Sequence, residues 1–132
     1  MKQFRIKDIL LIKNKILHCL TSNFKGKNME TEQFNEKQLN QIKIGRRKNL
    51  NVSIYAKPEF NWAQMEQIRF GLENKIDVSI YAKPEFNWQQ MQQIREGLQD
   101  NLDVSIYAKP ELDSTKMDQI RIGLLRNLQI TI

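Results

Sequence analysis

Three tyrosines, Tyr55, Tyr81 and Tyr107, stand 26 residues apart. Each has a serine two residues before it (Ser53, Ser79, Ser105) and a lysine two residues after it (Lys57, Lys83, Lys109). Aromatic faces stack on bases or anchor a protein contact, and ammonium groups neutralise phosphates or carboxylates. Columns of Tyr and Lys on one surface would therefore serve recognition rather than bond-making. The serines, continued by Thr131, form a third column without an evident base or oxyanion donor, so no nucleophile is assigned to them. The same ladder would also arise from sheet chemistry alone, because Tyr favours strands and cross-strand Tyr contacts stabilise a sheet whether or not anything binds.

A second concentration of function-bearing side chains is Lys43, Arg46, Arg47 and Lys48, at positions where later copies of the repeat carry Arg, Leu, Glu and Asn. This basic departure points to an acidic protein surface or a nucleic acid, or else to a solvated face. Catalytic patterns are missing. The chain has one His and one Cys, adjacent at His18 and Cys19, no Gly-rich phosphate loop, no metal-spaced His or Cys pair and no GxSxG. The expectation is a protein that is not an enzyme and uses no cofactor or metal.

The elements that must position these residues come from a repeat. A shift of 26 residues superposes Val52–Glu59 on Val78–Glu85 and Val104–Glu111, and Met65, Gln67, Ile68, Arg69, Gly71 and Leu72 on their copies in 91–98 and 117–124. Four units result: 34–59, 60–85, 86–111 and 112–132. Each opens with a helix signal: Asn61 as N-cap, Gln64 to complete a capping box, and Phe60 to staple onto Met65. The signal recurs at Asn35, Gln38, Phe34 and Leu39, and at Asn87, Gln90, Phe86 and Met91. Asp113 with Leu112 and Met117 gives a partial fourth copy. Asn49, Lys75, Asn101 and Asn127, each followed by Leu or Ile, suit the left-handed residue of a Schellman closure. Gly45, Gly71, Gly97 and Gly123 fall inside the helices and are expected to admit a neighbouring helix, with Arg69, Arg95 and Arg121 laid over the adjacent glycine. Trp62 and Trp88, at the first helical position, are expected to pack between units.

After each helix, Val-Ser-Ile-Tyr-Ala-Lys alternates strictly and stops at Pro58, Pro84 or Pro110, which predicts a strand with Val, Ile and Ala inward and Ser, Tyr and Lys outward. Helix and strand in turn predict an α/β fold: a curved right-handed solenoid with a parallel sheet on its concave side, laid out like the leucine-rich repeats. The last strand, Gln129–Ile132, would leave an open edge suited to a homodimer.

The repeat residues resemble a group of short bacterial repeats built on QMxQIRxGL followed by VSIYA(K/D)P, found in mobile elements and phage-related genes. The match covers residues 60–125 closely and 34–59 loosely. The resemblance implies an interaction module from a mobile element, including an anti-defence role such as CRISPR inhibition.

Residues 1–33 do not repeat. They carry 7 basic and 3 acidic side chains against 14 and 12 in the remainder. Residues 5–21 have apolar residues at helical spacing and predict a cap over the first unit, joined by a polar loop. This start is too short and too charged to span a membrane, and without a secretory signal the expected compartment is the cytoplasm. The expected partner is another protein with an acidic surface, with nucleic acid as the alternative.

Overall fold

The computed structural model describes residues 33–131. The predicted helix starts open four α-helices: α1 (Glu36–Arg47), α2 (Trp62–Glu73), α3 (Trp88–Gln99) and α4 (Ser114–Thr131). The chain divides into two units, Met1–Leu39 and Asn40–Ile132. Of the first unit, the described part is the beginning of α1. There the Asn35 amide donates to Gln38 Oε1 and the Gln38 amide to Asn35 Oδ1, both at 2.8 Å. The expected N-terminal helix over residues 5–21, with His18 and Cys19, lies outside the described residues. In the second unit the same box closes at Asn61 and Gln64 (2.8 Å twice) and at Asn87 and Gln90 (2.9 and 2.8 Å). Asp113 caps α4 by accepting from the Lys116 amide at 2.8 Å. Each box satisfies two amides that a helix start would otherwise leave orphaned.

Three helices end as the sequence predicts. The Ile76 amide reaches back to the Gly71 carbonyl (2.9 Å) and the Lys75 amide to the Leu72 carbonyl (3.1 Å), with Lys75 at φ 57°. Asn49 and Asn101 take the same left-handed backbone, at φ 58° and 57°. These are Schellman closures, and at Lys75 the side chain opposes a conformation that costs non-glycine residues about 1 kcal/mol. Asn127 does not follow, since α4 continues through it to Thr131. The predicted edge strand at 129–132 is therefore replaced by helix as far as Thr131, and the homodimer edge built on it is removed.

The larger correction concerns the alternating run. Among the described residues there is no strand, and the fold is all-helical rather than an α/β solenoid with a parallel sheet. Val52–Ile54, Val78–Ile80 and Val104–Ile106 are 3₁₀ helices. At two of the three turns the residue two before the serine caps the run. Asp77 Oδ1 accepts from the Ser79 amide at 3.1 Å and from Ser79 Oγ at 2.6 Å, and Asp103 does the same for Ser105 at 3.2 and 2.5 Å. A carboxylate satisfying amides two residues on winds the backbone into a turn and competes with a strand. The 3₁₀ repeat of three then places Val78 with Tyr81, and Val104 with Tyr107, on the buried face. Ile106, which alternation would bury beside Val104, is 47 % exposed.

The buried tyrosines account for the glycines. Each tyrosine hydroxyl donates at 2.7 Å to a carbonyl of the preceding helix: Tyr55 to Gln41, Tyr81 to Gln67 and Tyr107 to Gln93. The glycine four residues beyond that carbonyl lies directly under the phenol. A Cβ there would overlap the tyrosine oxygen and stand 2.5–2.7 Å from Val52, Val78 or Val104 Cγ1. The close approach is thus to the unit's own 3₁₀ turn, not to a neighbouring helix. Gly123 has nothing within 4 Å of that position.

Between units the ties are polar. Arg69 Nε donates to Gln41 Oε1 (2.8 Å), Arg95 Nε to Gln67 Oε1 (3.0 Å) and Arg121 Nε to Gln93 Oε1 (2.9 Å). The arginines therefore grip glutamines of the preceding helix and do not lie over its glycine. Gln64 Nε2 donates to the Phe86 carbonyl (2.6 Å) and Gln90 Nε2 to the Leu112 carbonyl (2.6 Å), joining each helix start to the next. Starts meet starts and middles meet middles, so α2, α3 and α4 stack in parallel. Met65, Ile68, Met91, Ile94 and Met117 fill the interior with Phe60, Phe86 and the tyrosines.

Two predictions follow from the tyrosine contact. Gly71→Ala and Gly97→Ala should each destabilise the fold by about 1–3 kcal/mol through overpacking. Gly123→Ala, in open space on a helix, should be neutral or stabilise by up to about 1 kcal/mol. Urea unfolding of the three variants checks this, and equal effects at all three sites would remove the explanation.

The second concerns alkaline pH. Burial pushes the Tyr55 hydroxyl up to about 12, against the lowering influence of Arg69, and burial likewise raises Tyr81 and Tyr107. A raised folded-state value means that this stabilisation is complete below about pH 10, the unfolded value, and is lost as pH climbs through the folded one. These are the chain's only tyrosines. Phenolate absorbance should therefore appear together with loss of helical circular dichroism, above pH 10. Ionisation near pH 10 with the helices intact would contradict the burial.

Candidate functional site

The surface ladder predicted from the sequence does not form. Tyr55, Tyr81 and Tyr107 have no accessible surface, so as partner contacts they are corrected to core residues. Their neighbours separate from them because a 3₁₀ turn distributes side chains over three directions instead of two. Ser53, Ser79 and Ser105 are exposed, and their hydroxyls donate to Asn51, Asp77 and Asp103 (2.5–2.6 Å) as part of the turns. Lys57, Lys83 and Lys109 are exposed on Lys-Pro-Glu loops, each two residues from an exposed glutamate. Cations and phenols thus lie on different sides of the backbone.

Lys43, Arg46 and Arg47 are exposed along the second half of α1, and Lys48 is exposed in the turn just after it. Lys48 pairs with Glu73 on α2 at 2.9 Å, and Arg69 pairs with the same carboxylate. Burial works against ionisation of Glu73, but hydrogen bonds from Lys48 and Arg69 outweigh it and hold the carboxyl below its usual range. Cations at the last turn of α1 also complement the helix dipole.

Two surface features escaped the sequence. The first is at the helix starts. Trp62 and Trp88, expected to pack between units, are 38 % and 39 % exposed at the first turns of α2 and α3. The Gln64 amide bond to Phe86 holds those two helix starts side by side, so the indoles occupy one rim of the stack. Neighbouring Phe60 and Phe86 are buried instead, which leaves the aromatic at N′ for the core and the one at N1 for the surface.

The second feature is at the opposite rim, where two grooves open between successive units. One, of about 500 Å³, lies between the turn after α2 and the end of α3. The other, of about 330 Å³, lies between the turn after α3 and α4. Ile76, Asp77 and Leu98 line the first, and their counterparts 26 residues on, Leu102, Asp103 and Leu124, line the second. The signal was present in the sequence as Asp-x-Ser, since a carboxylate that caps a turn also stands at the turn's rim.

Among the described residues no group of three or more His, Cys, Asp or Glu could hold a metal ion, and no helix is long and apolar enough to cross a membrane. Comparison of the chain with protein-family models, with curated proteins and with solved structures gives no match.

Proposed function

We propose that this chain is a non-enzymatic, protein-binding repeat module, and that the rim carrying Trp62 and Trp88 is a working surface. The exposed indole pair is the observation that supports this. A large, rigid aromatic left at the surface twice in register is the side chain most enriched where binding energy concentrates. Lys57, Lys83 and Lys109, exposed on the loops that lead into the following helices, supply cations toward an acidic partner surface. The resemblance to mobile-element repeats agrees with a partner from the host, including a component of its defence systems.

The exposed cluster Lys43, Arg46, Arg47 and Lys48 favours nucleic acid as a second reading. The two readings separate in one experiment. The tagged chain is used to capture partners from a host extract, with and without nuclease, and the captured proteins are identified by mass spectrometry. Capture should survive nuclease, and it should weaken about thirtyfold in a Trp62→Ala, Trp88→Ala variant that keeps its helical circular dichroism. Capture lost to nuclease, with affinity falling linearly in log salt, would transfer the function to nucleic acid. Undiminished capture by the double variant would move the surface away from this rim.

A further inference from the structure

On its open side α4 carries the surface with which each earlier helix holds a 3₁₀ turn. In α1, α2 and α3 one glutamine accepts twice. The backbone carbonyl of Gln41, Gln67 or Gln93 accepts from the tyrosine hydroxyl of the turn, and its side-chain oxygen accepts from an arginine of the next helix. Four residues on, Gly45, Gly71 or Gly97 makes room for the phenol and for a valine methyl. The fourth copies of this pair are Gln119 and Gly123, both exposed. Ile68 and Ile94 have no accessible surface, whereas their counterpart Ile120 is half-buried. Lys116, also exposed, keeps a donor where Gln64 and Gln90 bond to the next unit's backbone. This side of α4 is open because the helix runs on to Thr131 instead of closing through a left-handed residue and turning back.

The three covered copies define what fits the fourth. A 3₁₀ turn brings residues i and i+3 into line, so the Val and Tyr of Val-x-x-Tyr press on the helix together. The ring needs its hydroxyl, which donates to a helix carbonyl at 2.7 Å in all three copies. An arginine fourteen residues after the tyrosine, as Arg69, Arg95 and Arg121 stand to Tyr55, Tyr81 and Tyr107, adds the bond to the glutamine side chain. A second folded copy of this chain does not offer such a turn, because all three of its tyrosines are buried against its own glycines. The turn must come from a different protein.

We infer that the exposed face of α4 around Gln119 and Gly123 docks a Val-x-x-Tyr turn of another protein, with the tyrosine hydroxyl on the Gln119 carbonyl, and so extends the stack by a unit from a different chain. This face is separate from the tryptophan rim, and the inference goes beyond the function proposed for that rim.

The probe is a fluorescein-labelled peptide copying residues 101–122, which holds one turn and the helix start after it, titrated into the full chain and followed by fluorescence anisotropy. Saturable binding is expected. Gly123→Ala puts a Cβ where the phenol would lie and should weaken binding about tenfold. The same variant keeps or raises the urea midpoint, because nothing in the chain itself lies within 4 Å of that Cβ. Replacing the peptide's tyrosine by phenylalanine should weaken binding about fivefold through the lost hydrogen bond. Absence of saturable binding by the native chain would overturn the inference. Equal affinity in the Gly123→Ala chain would also overturn it, since the peptide would then sit elsewhere or exchange with the chain's own turns. Equal affinity of the phenylalanine peptide would remove the tyrosine hydroxyl as the recognised group. Self-association of the native chain, lost in Gly123→Ala, would replace the foreign partner by an exchanged turn of a second copy.

Discussion

A phenol hydroxyl 2.7 Å from a helix carbonyl sets the depth at which every 3₁₀ turn docks on its helix. To reach that carbonyl the ring must cross the helix surface, which only a residue without Cβ leaves clear. The chain must also return within ten residues of the glycine, which the left-handed Schellman residue and the 3₁₀ turn achieve together. Removing any one of these leaves the hydroxyl buried without its acceptor, at a cost of about 1–3 kcal/mol. This interdependence explains how short helices with modest apolar stripes hold together.

Stacking of one unit on the next depends on different chemistry. Gln64 and Gln90 use both ends of the amide, one to close the capping box of their own helix and the other to reach the next unit's backbone. Arginine to glutamine bonds add a second row farther along each helix. No buried side-chain nitrogen or oxygen among the described residues lacks a partner. Apolar contacts alone would let parallel helices slide, whereas a slip of one turn here would strand several buried polar atoms at once.

Capping boxes and Schellman turns were legible in the sequence because both are local: their partners lie within a few residues and their residue types are specific. Val-Ser-Ile-Tyr-Ala satisfies a period of two and, through Val and Tyr alone, a period of three, so alternation predicts a strand where the chain forms a turn. The carboxylates that cap two of the turns, Asp77 and Asp103, stand just outside the run, and the first turn forms at Asn51 without that backbone bond. With the sheet went the exposed tyrosine column. The signal for the turn is the constant separation of Gly97 and Tyr107 and of their copies, since a costly helical glycine needs a bulky neighbour. The tryptophans were not recoverable, because N1 faces either core or solvent depending on how the next unit docks.

The two kinds of tie also define where one module ends. The glycine and tyrosine contact joins a helix to the turn that follows it, while the Lys-Pro-Glu loops come after the tyrosine and before the next cap. The self-contained piece is therefore helix first and turn second, with its seam at the proline. Recombination cut at that seam would lengthen or shorten the array by whole, internally locked pieces. A cut at the start of Val-Ser-Ile would instead separate each glycine from its own tyrosine and make every module depend on a foreign one.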